Sequence, residues 1–131
     1  MASKYFFKVY DNNENTLPGI SGTWSLYCSE EKFTPPSGDL ITSQSFTTGQ
    51  NGEVEYNSGN PISVDSKYTD FGILVQVNGY RTGFNTDEIK NSGSVSTTSN
   101  LEIVIITESQ YIQEKIDNLK NTLSNRVNPP A

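Results

Sequence analysis

Two Asn-Gly pairs, Asn51-Gly52 and Asn78-Gly79, punctuate residues 47–80, and each adjoins a run rich in β-branched and aromatic residues. Asn-Gly supplies the positive φ angles that tight hairpins require, so this stretch reads as turn, strand, loop, strand, turn. The rest of the composition agrees. Asn, Ser, Thr and Gly are plentiful while charged residues make up 18% of the chain, a balance that suits turns and exposed strand faces better than helices. An all-β body follows, and 131 residues are enough for one such domain with its own apolar core.

Period-two alternation places the strands. Tyr5, Phe7 and Val9 alternate with Phe6, Lys8 and Tyr10, giving a first strand with apolar residues on both faces, and residues 11–15 then break it. Leu17-Pro18-Gly19 is a turn signal. A second strand over residues 22–29 sets Trp24, Leu26 and Cys28 on one side, the side predicted to face the core. Residues 30–40 contain Pro35-Pro36-Ser37-Gly38, which cannot sit in a central strand because proline has no amide donor, so they form a surface loop. A third strand over 41–47 is polar enough for a sheet edge, and a fourth over 53–56 points Val54 and Tyr56 the same way. Ile62 and Val64 suggest a short strand, and residues 71–77 form the most hydrophobic and therefore most central one. Residues 84–100 are mostly Ser, Thr, Asn and Gly, and the apolar run 101–106 predicts a closing strand buried on both sides, for about seven strands in all.

At Thr107 the pattern changes. Thr107 with Gln110 three places later matches a capping box, and Ile106 with Tyr111 matches the hydrophobic staple around it. Ile112, Ile116, Leu119 and Leu123 then follow at spacings of four, three and four, one apolar stripe opposite Gln113, Glu114, Asp117 and Lys120. The helix ends before Asn128-Pro129-Pro130, dividing the chain into a β body, 1–106, and an amphipathic helix with a Pro-rich tail, 107–131. The stripe is the candidate partner-binding surface. Either it lies on the flank of its own domain, or it meets copies of itself or another protein. Two heptads are visible, fewer than the three or four that define a coiled coil, and Arg126 occupies the next seam position.

Reaction chemistry is sparse. With no histidine and a single cysteine, Cys28, the chain can build neither a His/Cys zinc site, nor a Cys-His or Ser-His dyad, nor an internal disulfide. A net charge of −6 repels a phosphate backbone, and the nine Lys and Arg residues are scattered instead of forming a stripe, so no nucleic-acid partner is expected. No apolar segment approaches the roughly 20 residues that span a bilayer, and the N-terminal run is too short for a signal peptide, so a soluble, membrane-free protein is expected. Asp11-Asn12-Asn13-Glu14-Asn15 spaces oxygen ligands like the start of a calcium loop, but Thr16 stands where Gly should turn the chain and Gly22 where a Glu should close the shell. Asp and Asn in a row also make ordinary turns. Glu30-Glu31, Glu53 with Glu55, and Asp87-Glu88 are carboxylate pairs, and hydrolysis would need two of them facing within about 10 Å across a cleft. Solvation in loops and on alternating strands accounts for each. No catalytic residue, metal or cofactor is expected.

The order of signals over residues 7–106 resembles the carboxypeptidase regulatory-like and transthyretin-like group of prealbumin-type β-sandwiches. Three pieces carry the resemblance: Phe7-Lys8-Val9-Tyr10-Asp11 followed by Leu17-Pro18-Gly19-Ile20, then Thr48-Gly49-Gln50-Asn51-Gly52-Glu53-Val54, and Val77-Asn78-Gly79-Tyr80. It implies an Ig-like antiparallel sandwich to which the polar segment and the helix are additions. Some relatives cross-link themselves through a Lys, an Asn or Asp, and a catalytic acid before the Gly-Tyr pair. Lys8 and Asn100 fit the first two places, but Gln76 stands where the acid is needed, and no cross-link is expected. The functional expectation is a non-enzymatic structural module that docks on itself or on a larger protein assembly such as a capsid or tail. A phage virion component, as capsid decoration, head fibre or tail accessory protein, fits that description, located in the virion after assembly in the host cytoplasm or else simply cytoplasmic. The alternative is a glycan-binding module or adhesin, in which Trp24 and Tyr80 would stack on sugar rings.

Overall fold

A computed structural model describes residues 5–127; the predicted Pro-rich tail lies outside them. Among the described residues nine strands precede one long helix: β1 Phe7–Tyr10, β2 Ser21–Ser29, β3 Asp39–Thr47, β4 Glu53–Val54, β5 Ile62–Ser63, β6 Asp70–Gln76, β7 Gly83–Glu88, β8 Ser94–Val95, β9 Leu101–Val104 and α1 Glu108–Val127. They form a sheet in the order β4-β1-β9, a second in the order β3-β2-β6-β7, and a two-stranded ladder β5-β8. Every pairing is antiparallel except β1 with β9, where Phe7 lies beside Leu101 and Tyr10 beside Val104.

The two larger sheets pack face to face as a β-sandwich, and alternation decides what lies between them. Trp24, Leu26 and Cys28 of β2 meet Phe71, Ile73 and Val75 of β6, with Phe7, Val9, Ile103 and Ile105 from the opposite side. The Trp24 indole is the hub: its ring centre lies 5.4 Å from Phe6, 6.4 Å from Phe7 and 5.3 Å from Tyr56, each near edge-to-face. That geometry sets the positive edge of one ring against the negative face of the next. The expected inward side of β2 and the edge position of β3 are both observed. β6 is central, and its outer side is covered too, because Phe33 and Pro35 of the 30–38 loop fold over Gly72.

Three expectations need correction. Gly52 and Gly79 do adopt positive φ, +75° and +84°, but only the turn at Gly79, closed by the Tyr80 N–H on the Val77 carbonyl at 3.0 Å, joins neighbouring strands, β6 and β7. The turn at Gly52 carries the chain from the edge of one sheet to the edge of the other. β9 is not buried on both sides: Leu101, Ile103 and Ile105 point inward, while Glu102 and Val104 face solvent because no element covers that side. The polar segment 84–100 contributes two strands. β7 was hidden because it buries no large side chain. Gly83 replaces one, since a Cβ there would stand 2.5 Å from the Val104 carbonyl oxygen, and Asn85 donates its amide to the Glu102 carbonyl at 2.9 Å. Through these contacts β7 closes the corner between the sheets.

Candidate functional site

The helix is held at its root and nowhere else along its described side chains. At the cap, the Gln110 N–H donates to the Thr107 hydroxyl oxygen and the Thr107 N–H donates to Gln110 Oε1, both at 3.0 Å. This reciprocal pair satisfies two donors that a helix start leaves open. The cap is welded to the β6–β7 turn: the Glu108 N–H donates to the Gly79 carbonyl at 3.0 Å, and the Arg81 N–H to the Ile106 carbonyl at 2.7 Å. Above it the Arg81 guanidinium stacks on the Tyr111 ring at 4.0 Å, and the Gln110 amide reaches Asn12 Oδ1 at 3.3 Å. Arg81, Gly79, Asn12 and Tyr111 escaped sequence reasoning as a group, because partners far apart along the chain leave no local pattern.

Past Tyr111 the helix leaves the sandwich, and every residue from 112 to 123 is exposed. Ile112 is 53% exposed, Ile116 40%, Leu119 59% and Leu123 49%. The stripe therefore does not lie on the flank of its own domain. Polar contacts run along the helix itself, with the Gln113 amide donating to Asp117 Oδ1 and the Thr122 hydroxyl to the Asn118 carbonyl, each at 3.0 Å. Nothing within the described chain uses the apolar side.

The residues proposed for sugar stacking are placed differently. Trp24 is 1% exposed and enclosed by Phe6, Phe7 and Tyr56, so neither ring face can meet a ligand. The same inward alternation that makes β2 a good strand takes the indole out of reach. Tyr80 is half-buried against the core and bridges to Thr107 at the helix root.

Other polar clusters have local explanations. The Asp11 carboxylate accepts the Asn13 N–H at 2.8 Å and the Asn15 N–H at 3.0 Å, which closes the turn after β1. Those bonds, the one from Asn15 foremost, hold its carboxyl below the usual value. A shallow cleft is lined by Cys28, Glu30, Glu31, Asp39 and Tyr68. There the Tyr68 phenol donates to Asp39 Oδ2 at 2.6 Å, and that bond pushes its pKa up to about 12. Burial pushes the Cys28 thiol up to about 11, so it stays protonated and unreactive at neutral pH. Asp87 pairs with Lys90 at 3.9 Å. Lys8 lies over the Tyr5 ring at 4.9 Å, while Asn100 accepts the Tyr5 N–H at 3.2 Å. Among the described residues no three His, Cys, Asp or Glu side chains converge as a metal ion requires, and no helix is long and apolar enough to cross a membrane.

Compared with models of protein families, with curated proteins and with solved structures, the chain matches none.

Proposed function

We propose that this chain is a non-enzymatic docking module: a β-sandwich head whose C-terminal helix seats it in a larger protein assembly. One observation carries the reading, the run of Ile112, Ile116, Leu119 and Leu123 exposed along a helix that has left its own domain. Large apolar side chains exposed side by side in this way on a monomer commonly mark an interaction site. In proteins most helical stability comes from packing of an amphipathic face, so covering this face with a partner stabilises the part of the helix beyond its root. The sheet orders β4-β1-β9 and β3-β2-β6-β7, with the first and last strands parallel, support the finer assignment of the head to the Ig-like prealbumin type.

The assembly to examine first is a phage virion, by analogy with the small acidic β domains that decorate such particles. The test is fractionation of the native source. The intact chain should co-sediment with a large particle, identified by mass spectrometry, and a Leu119→Asp variant should leave that fraction while Trp24 fluorescence reports a native core. Retention of the variant in the particle overturns the reading.

A further inference from the structure

We infer that Asn78 is a site of self-modification: its side-chain amide is attacked by the main-chain nitrogen of Gly79, and the isoaspartyl link that results loosens the root of α1. The inference is independent of what the helix binds.

Asn-Gly is the pair in which this ring closure meets least hindrance, because glycine carries no side chain beside its nitrogen. The chain has two such pairs, and the fold treats them oppositely. At Asn51-Gly52 the nucleophile is engaged: the Gly52 N–H donates to the Gly49 carbonyl at 3.0 Å, Gly52 is buried, and the place its Cβ would take lies 2.9 Å from the Val9 carbonyl oxygen. The Asn51 amide is held as well, donating to Glu53 Oε1 at 3.4 Å. At Asn78-Gly79 both residues are exposed, and apart from its chain neighbours nothing lies within 4 Å of the corresponding place on Gly79. Among the described residues neither the Gly79 N–H nor the Asn78 amide has a hydrogen-bond partner.

The chemistry needs only water. A solvent base takes the Gly79 amide proton, the nitrogen bonds to Cγ of Asn78, and the Cγ–Nδ2 bond breaks as ammonia leaves with a proton from solvent. Water then opens the cyclic imide. Addition at Cγ restores the main chain with an aspartate at position 78. Addition at the main-chain carbonyl carbon leaves the chain running through Cβ and Cγ, longer by a single atom, with a carboxylate on Cα. Nothing is oxidised or reduced.

The place of this turn gives the change a consequence. The Tyr80 N–H closes it on the Val77 carbonyl at 3.0 Å, and the Gly79 carbonyl receives the Glu108 N–H that opens the helix, also at 3.0 Å. An extra main-chain atom between Asn78 and Gly79 widens the first ring and carries the second acceptor away from the cap. The core behind Val77 is untouched, because neither residue belongs to it.

Peptide mapping of the full chain, aged in mildly alkaline buffer, tests the assignment. Trypsin releases residues 68–81, in which Asn78 is the sole asparagine, apart from the peptide that carries Asn51. Acid and isoaspartate should form at Asn78 at least about fivefold faster than at Asn51, the factor in rate that one protein hydrogen bond of about 1 kcal/mol supplies. In urea the ratio should fall toward unity. Equal rates in the native chain would overturn the inference by removing the effect of the fold, and aspartate without isoaspartate would overturn it by showing direct hydrolysis in place of the imide. As isoaspartate accumulates, helical ellipticity should fall while Trp24 fluorescence stays constant. Asn78→Gln and freshly prepared Asn78→Asp, neither of which lengthens the main chain, should keep the helix signal. A full helix signal in the isoaspartyl protein would refute the loosening of the root.

Discussion

Replacing Thr48 with valine keeps the shape of the side chain and removes its hydroxyl. That hydroxyl accepts the Ile20 N–H at 2.8 Å and donates to the Leu17 carbonyl, while the Thr48 backbone exchanges hydrogen bonds with Ile20 and Gly19. Thr48 is buried, and it clips the loop before β2 to the loop after β3. In Thr48→Val both partners lose their bond in a site too crowded for water to replace it fully. Each orphaned group costs about 1 to 1.5 kcal/mol, so the expected loss is about 2 to 3 kcal/mol. Thr48→Ser keeps both bonds and deletes one methyl group, at a cost of about 1 kcal/mol. Against a total stability of about 5–15 kcal/mol the difference is readily measured. Urea denaturation should show a lower midpoint for Val than for Ser with unchanged slope, and Tm lower by about 10 °C and about 4 °C respectively. A valine variant as stable as the serine variant would refute the argument, since packing rather than the two bonds would then be what Thr48 supplies.

Three further outcomes follow from the same geometry. Thr107→Ala removes the cap and should cost about 1 kcal/mol, read as lost helical ellipticity at 222 nm with the near-ultraviolet signal of the sandwich retained. Cys28, its thiol raised to about 11 by burial, should react with a thiol reagent at neutral pH only as fast as the protein opens; rapid labelling of the native chain would contradict its placement. Asp11 has a carboxyl lowered from its ordinary 3.8, so its stabilising contribution is complete above that value and is lost as pH falls through the lower folded one. Asp11→Asn should therefore flatten the acid limb of a plot of urea midpoint against pH, and an unchanged limb would show that other carboxylates govern it.

How far the sequence could be read depended on whether a residue's role was local. The inward side of β2 was legible because Trp24, Leu26 and Cys28 alternate without interruption, and the cap at Thr107 because both of its bonds lie within four residues. The stripe at 112–123 was visible for the same reason. Whether it touched its own domain was not, since that depends on the direction in which the β6–β7 turn and Arg81 aim the first turn. β7 was missed because its place in the sheet is specified by a glycine and an asparagine meeting β9, interactions with no hydrophobic period. Trp24 shows the opposite error: an aromatic residue advertises binding by its type, and only its neighbours Phe6, Phe7 and Tyr56 reveal that its faces are already occupied.

The parallel pairing of β1 with β9 sets a timetable for biogenesis. Phe7 leaves the ribosome well ahead of its neighbour Leu101, so the segment that carries Phe6 and Phe7 waits with both phenylalanines uncovered while all the intervening strands are synthesised. Long-range closure of this kind slows folding and lengthens exposure to aggregation. The helix follows directly behind β9, so any docking through it comes after the head has been given its last strand.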